Sequence, residues 1–558
     1  MASIVVRLEK YRFEQGKETD MKQFGKMIAL LVVFLGGLLV GQDHPPAMVR
    51  NDDLLATPVG ANWTSYNGDY TGRRYSSLKE INISNVRQLR AAWVFHPGNS
   101  QSLEVTPLVV RGIMFATAAN DVYALDARTG RQLWRYTRPI SSGLLDDAAS
   151  HKNRGVALWQ NSVFIETDDA HLVALDARSG NVLWDVQYAD KTKHYGATGA
   201  PIVAKDEVIV GTSGGDSGVR GFLAAFDAAT GNKKWQRWTI PGPGEFGADS
   251  WPADAYLHGG ATTWMPGTYD PELNTLYWTT SNAAPDFLGD TRPGDNLYSA
   301  CVLALDVDSG EIKWYFQFTP HDLYDYDANE TPVLVDTVEN GKPQRLLLQA
   351  NRNGFFYVLD RTNGKFLRAT PFVEKLNWAK GMDASGRPIL SGKIPSSEGT
   401  YICPGVEGAT NWFSPSFSPD TGLFYVLAME NCNTFFAKPK KFVPGETFYN
   451  TGTTVPQTER FQKVLLALSP ENGKAVWRYA QTGAGRSWSG TLVTAGGVLF
   501  FGDDSDSFEA VDASNGHPLW HFNTGQLMRA SPMTYAVDGV QYVAIAAGSD
   551  VFSFSLPN

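Results

Sequence analysis

One phrase recurs along the chain and limits its architecture more than any other feature. It reads ALDARTGRQLW (124–134), ALDARSGNVLW (174–184), AFDAATGNKKW (225–235) and ALDVDSGEIKW (304–314). Weaker copies are VLDRTNGKFL (358–367), ALSPENGKAVW (467–477) and AVDASNGHPLW (510–520). Each copy joins an apolar strand end, an Asp or Ser, a tight turn closed by Gly, and a second strand that mostly ends in Trp. That is a β-hairpin whose Gly supplies a positive φ and whose Trp packs between neighbouring units. Clear copies lie about 50 residues apart, and such a period implies a ring of four-stranded blades. SFSPDTGLFYVLA (416–428) reads as an eroded eighth copy. The expected fold is all-β, an eight-bladed β-propeller with tryptophan-docking hairpins.

Such repeats let 558 residues fold as one body, and a 43% hydrophobic, 12% aromatic composition supplies its core. Residues 62–558 are expected to form a single propeller domain. A formal charge of −10 without any Lys/Arg-rich run argues against nucleic acid as a partner. Nine His and three Cys leave little scope for a nitrogen/sulfur metal site, and no Cys-x-x-Cys-His motif encodes an attached c-type haem. Carboxylates, amides and Arg must carry any chemistry.

At the amino terminus, Lys22 and Lys26 precede the apolar run 27–40 and the polar break Gly41-Gln42-Asp43. This reads as an export signal within residues 1–41, because a membrane span needs about 20 apolar residues. Initiation at Met21 would remove an untypically charged start, and an uncleaved anchor is the alternative reading. A linker is expected at 42–61. Export to a periplasm would permit one disulfide, with Cys403–Cys432 the favoured pair and Cys301 left over.

A propeller leaves function open, so function must come from residues that break the repeat. The densest such segment is 262–332, which stretches the interval from Asp227 to Asp306 and has the character of a binding loop. Within it, Asp325-Tyr326-Asp327 puts two carboxylates at i and i+2, on one side of an extended segment. A solvated turn and a hard, oxygen-ligated cation both account for that pair. Around it stand NRGVALW (153–159), GTSGGDSGVRGFLAAFD (211–227), TTSNAAP (279–285), RPGDNLY (292–298), TPHDLYDYD (319–327), NRNGFFYVLDRTNG (351–364) and SWSGTLVTAGG (487–497). In order and spacing these motifs resemble the pyrroloquinoline quinone (PQQ)-dependent alcohol dehydrogenases, the methanol/ethanol dehydrogenase family of eight-bladed quinoproteins. The resemblance covers nearly all of the chain from Asn62 onward.

The resemblance implies a PQQ molecule on the propeller axis, with roles that carry over motif by motif. Trp264 matches the floor on which the planar quinone stacks. Asp216, Asn282, Asp325 and Asp327 match metal-ligand positions, Asp216 standing where the family usually has Glu. The place of Asp327 is taken by a small residue in calcium-type methanol dehydrogenases and by Asp in lanthanide-type ones, so a lanthanide is favoured over calcium. Arg154, Glu104, Thr198, Ser213, Gly214, Gly215, Asn411 and Trp488 fall on cofactor-contact positions. Asp325 is implied as the general base and Arg352 as the donor to the reactive quinone oxygen. The implied activity is oxidation of a primary alcohol, a larger or more polar one, or an aldehyde, by hydride transfer to PQQ. Electrons would pass to a separate cytochrome c in the periplasm, and a homodimer is compatible with this.

Three departures stand out. Ala148-Ala149 replace the adjacent cysteines that form the family's disulfide lid. Asp286 replaces a Trp that closes the small substrate pocket, which disfavours methanol. Tyr324 replaces the Trp common before the catalytic Asp. A non-catalytic scaffold and a quinoprotein that has lost its cofactor are the competing readings.

Overall fold

The computed structural model describes residues 48–98, 102–252, 254–339, 341–449, 452–454, 461–483 and 487–557. The run 27–40, and the export signal read from it, lie outside these residues. Among the described residues no helix is long and apolar enough to cross a membrane. Residues 48–61, expected as linker, lie on the blades: Val49 N donates to the Gln160 carbonyl at 2.8 Å, and a short helix, Asn51–Leu55, buries Leu54.

Among the described residues, eight sheets of four or five strands form the body of the fold. Blades 1 to 5 follow in order at 108–136, 157–187, 202–238, 268–317 and 333–371, each pairing its strands antiparallel in sequence order. Blade 6 pairs Ser416–Ser418, Leu423–Glu430, Gln462–Leu468 and Ala475–Ala480. SFSPDTGLFYVLA is therefore the first hairpin of the blade that ends in ALSPENGKAVW, and not a unit of its own. Both turns start with Ser-Pro and close with Gly422 and Gly473, whose amides bond back to Ser418 and Ser469, so their local chemistry is alike. Blade 7 (491–523) gains Tyr75–Ser76 as a parallel fifth strand.

The eighth blade comes from both ends of the chain. Arg90–Phe95 pairs with Asp550–Ser555, followed by Val540–Ala547 and Met533–Val537. Eight blades are present, as expected, but the last is a composite that a scan for local repeats misses. Pairing an early strand with the last one closes the ring by completing one blade from distant parts of the chain. Arg74, fully buried, reinforces the closure by donating to the carbonyls of Tyr66 and Pro532.

The repeat residues join blade to blade. Trp134 donates its indole N–H to the Ala177 carbonyl of the next blade at 3.0 Å, and Trp93, Trp184, Trp235, Trp477 and Trp520 make the same bond to Ala127, Ala228, Val307, Ala513 and Leu89. The ring lies on the turn glycine: a Cβ on Gly180 would stand 2.6 Å from Trp134. That close approach, together with a φ of 73°, explains why the turn is closed by Gly. Blade 5 lacks the Trp, and Arg368 takes its place, donating Nε to the Pro470 carbonyl at 2.8 Å.

Cys403 and Cys432 form the favoured disulfide, tying the connection after blade 5 to the insertion of blade 6, while Cys301 is free and buried. Within blade 2, burial raises the Glu166 carboxyl from the ordinary 4.5 to about 8, with a hydroxyl bond from Tyr188 acting weakly the other way. The folded state thus binds this proton more tightly than the unfolded chain. The stability it contributes is full below pH 4.5 and is lost as pH rises through about 8. Urea unfolding of Glu166→Gln should show that loss removed, leaving the variant more stable than wild type at pH 8 and above by on the order of a few kcal/mol.

Candidate functional site

Antiparallel neighbours reverse direction, so the start of a blade's first strand and the end of its second lie at one end of the ring. Eight lead-in segments therefore converge there. They carry Glu104 (blade 1), Arg154 (blade 2), Thr198 (blade 3), Trp264 (blade 4), Asp325 and Asp327 (blade 5), Asn411 and Trp412 (blade 6), Trp488 (blade 7) and Arg529 (blade 8), which all line one cavity of about 810 Å³. Turns between second and third strands open at the same end. Those of blades 3, 4 and 5 bring Gly215 with Asp216, Asn282 and Arg352 to the wall, and the insertion in blade 6 adds Thr447 and Tyr449. Ser213 and Gly214 sit just before Gly215 and are not on the wall; Ser213 bridges Gly196 through its backbone.

One side of the cavity is cationic. Arg154 pairs with Glu104 at 2.6 Å and donates Nη1 to the Thr198 carbonyl at 2.7 Å. Its guanidinium lies 4.7 Å from the Trp264 ring centre and 4.5 Å from that of Trp412, so both indoles attract it. Lys152 donates to the Ser102 carbonyl at 2.9 Å. Burial pushes its ammonium pKa down; Glu104 opposes this, and Arg529 and Arg154 add to it. Lys152 thus has two further cations, Arg154 and Arg529, and the Glu104 carboxylate as charged neighbours.

The other side is anionic. Arg352 Nη1 donates to Asp327 Oδ2 at 2.7 Å, and Nη2 reaches Asp325 Oδ2 at 3.4 Å and the Val406 carbonyl at 2.5 Å. The backbone N–H of Asn282 donates to Asp327 Oδ1 at 2.7 Å. Asp325 and Asp327 converge, though not through the extended segment expected. Asp325 sits at φ 63°, a left-handed conformation that Asp tolerates better than most residues, and the buried Asp322 carboxylate accepts from the amides of Tyr324 and Tyr326 to hold the turn. Burial drives the Asp325 carboxyl well above its ordinary range; Arg352 opposes the shift and Asp327 adds to it. Tyr324 and Tyr326 point away and pack on Trp378, their hydroxyls donating to the carbonyls of Lys393 and Pro404. Tyr324 is thus an anchor beneath the turn.

In place of a disulfide lid stands a 3-10 turn, Asp146–Ser150. Ser217 donates to Asp146 at 2.7 Å, and Ala148 is fully buried against Gly196, where a Cβ would come within 2.6 Å. Asp146 and Ser150 reach the cavity wall. Asp286 does not behave as expected. Its carboxylate is fully buried, lies off the cavity wall, and accepts a hydrogen bond from Asn282 Nδ2. The sequence departure at 286 therefore serves the Asn282 side chain instead of making the substrate side more polar.

These residues fit PQQ with a cation. The cavity has the size for a tricyclic molecule, a cationic side for carboxylates, and a side where Asp216, Asp325, Asp327 and Asn282 offer oxygen donors. The Nε atoms of Arg154 and Arg352 are buried on this wall without a protein acceptor. Among the described residues no three His, Cys, Asp or Glu side chains are gathered into a preformed metal cage. Asp325 and Asp327 are instead engaged by Arg352. Sequence reasoning missed Lys152, Trp412, Arg529 and Tyr449. Lys152 directly precedes the Asn-Arg-Gly motif and Trp412 follows Asn411, signals that adjacency could have supplied. Arg529 and Tyr449 stand in no motif.

Comparison with known proteins agrees with this arrangement. The family model for the β-propeller domain of PQQ-dependent glucose/ethanol/alcohol dehydrogenases matches residues 63–376 and 480–543. The chain is 38% identical over 552 residues to the quinoprotein alcohol dehydrogenase PedH of Pseudomonas putida, covering 94% of this chain and 92% of that protein. It is 35% identical over 532 residues to a lanthanide-dependent methanol dehydrogenase of Methylacidiphilum fumariolicum, covering 89% and 86%. The crystal structure of the quinohemoprotein alcohol dehydrogenase of Comamonas testosteroni superposes with a TM-score of 0.85 at 36% identity, covering 91% of this chain and 82% of that one.

Proposed function

The chain belongs to the PQQ-dependent alcohol dehydrogenase family of β-propeller quinoproteins, and from that premise we propose that its axial cavity oxidises a primary alcohol larger than methanol with PQQ and one metal ion. The observation that carries this reading is the division of one cavity wall into a cationic and an anionic side. Lys152, Arg154 and Arg529 would meet the cofactor carboxylates, with Glu104, Thr198, Gly215, Asn411 and Trp488 completing the contacts, Ser213 and Gly214 supporting Gly215 from behind the wall, and Trp264 providing a stacking face. Asp216, Asn282, Asp325 and Asp327 would hold the ion. Three carboxylates neutralise a trivalent cation better than two do, which favours a lanthanide over calcium.

Bound there, PQQ and its ion supply an acceptor for the alcohol's hydride. Asp325 Oδ2 is placed to take the hydroxyl proton as general base. Arg352, which reaches that oxygen and keeps a buried Nε–H without an acceptor, orients the base and leaves a donor for negative charge developing beside it. Val406 and Tyr449 line the cavity that holds Asp325 and would border the substrate. The Trp that closes a pocket fitted to methanol is replaced by Asp286, which favours a chain longer than one carbon. Electrons then pass to a separate cytochrome c in the periplasm.

Titration of the metal-loaded chain with PQQ, followed by tryptophan fluorescence, tests the assignment. Saturation is expected at one PQQ per chain, and Lys152→Ala and Arg529→Ala should each weaken binding by about tenfold, the scale of one lost charge-assisted contact. Absence of PQQ binding with either calcium or a lanthanide would overturn the proposal.

A further inference from the structure

Asn282 is held at both ends by carboxylates. Its backbone N–H donates to Asp327 Oδ1 at 2.7 Å, and its side-chain Nδ2 donates to Asp286 Oδ1. An amide has one nitrogen and one oxygen on opposite branches, so committing Nδ2 to Asp286 leaves Oδ1 as the branch available to the cavity that Asn282 lines. Asp286 is itself fixed. Arg292, fully buried, donates Nε to the Pro285 carbonyl at 3.1 Å and Nη2 to the Asp286 carbonyl at 3.0 Å and the Asp322 carbonyl at 2.5 Å. The guanidinium thereby ties the loop that carries Asn282 to the turn that carries Asp325 and Asp327.

We propose that Asp286 is a positioning residue that orients the Asn282 side-chain oxygen toward a bound metal ion, with Arg292 fixing its distance from Asp325 and Asp327. The inference rests on the metal reading given above and adds a residue that acts only through Asn282. Without the acceptor at 286 the amide is free to rotate and present its nitrogen, a group that repels a cation. A water would then replace one protein oxygen on the ion.

The test uses the full chain reconstituted with PQQ and titrated with europium(III) or calcium. Calorimetry gives the affinity, and europium luminescence lifetimes in H₂O and D₂O count the waters on the ion. Asp286→Leu, close to isosteric, should lower affinity at least about tenfold, the usual scale for removing the partner of a ligand, and add one bound water. Asp286→Asn keeps an acceptor oxygen and should leave the water count at the wild-type value. If Asp286→Leu fails to fold, Asp286→Ala in wild-type and Asn282→Ala backgrounds replaces it. The loss from Asp286→Ala should then nearly vanish where Asn282 is already gone. Additive losses, or an unchanged water count in Asp286→Leu or Asp286→Ala, would overturn the inference while leaving the metal reading intact. A wild-type chain that takes up neither ion would overturn both.

Discussion

Asp325→Asn is expected to lower alcohol turnover by about 10³-fold or more while leaving the fold and PQQ content unchanged. The size follows from losing a general base, worth roughly 10² to 10⁴ in rate, together with the negative charge that the carboxylate offers the ion. Asn is the informative replacement because position 325 sits at φ 63°, in a region that Asp and Asn adopt more readily than Ala. Asp325→Ala would mix strain with chemistry. In Asp325→Asn, the side-chain oxygen still accepts from Arg352, so the melting temperature should stay close to wild type. Steady-state kinetics with PQQ content measured in the same preparation decides the matter. Activity above one tenth of wild type would remove Asp325 from the role of base.

Arg352→Leu should give the largest loss of stability. Arg352 is 8% exposed in its side chain and bonds Asp325, Asp327 and the Val406 carbonyl, so its removal leaves two largely buried carboxylates without their common cation. Breaking a buried pair from one side typically costs about 3–5 kcal/mol, and the partial exposure of Asp325 places this case toward the lower figure. Urea unfolding of the metal-free chain should show a lower midpoint with an unchanged slope. Arg352→Lys keeps the charge, loses the two-pronged fork, and should recover most of the stability. Equal midpoints for wild type and Arg352→Leu would mean that the two carboxylates are not relying on this guanidinium.

The blades were legible in the sequence where their information is local. Asp126, Gly130 and Trp134 fall within one hairpin, and the Trp simply completes its bond on the next blade, so every such copy marks a real strand pair. The composite eighth blade was not legible, because Arg90–Phe95 and Asp550–Ser555 are joined only by the ring's closure. The turn around Gly422 misled for the opposite reason. Its chemistry matches the repeat, but it lies between a blade's first two strands instead of its last two.

The same distinction applies to the cavity. Motif residues such as Arg154, Asn282 and Asp327 reach it because each stands on a lead-in segment or an inner turn, positions that the repeat itself defines. Lys152 and Arg529 come from blades 2 and 8, and only the closed ring makes them neighbours. Asp286 shows the limit of reading a substitution by position alone. Exchanging an indole for a carboxylate suggested a more polar substrate side, yet a buried carboxylate requires a partner, and the nearest donor was the amide of Asn282.

Whether one cavity, cationic on one flank and acidic on the other, binds PQQ beside a metal ion and oxidises alcohols is decided by reconstituting the purified apoprotein with PQQ and either a light lanthanide or calcium, following dye reduction across a panel of primary alcohols. Turnover that requires both PQQ and an ion, runs faster with the lanthanide, and favours alcohols longer than methanol is the predicted result. A chain saturated with PQQ that reduces no dye with either ion and any alcohol would contradict the account.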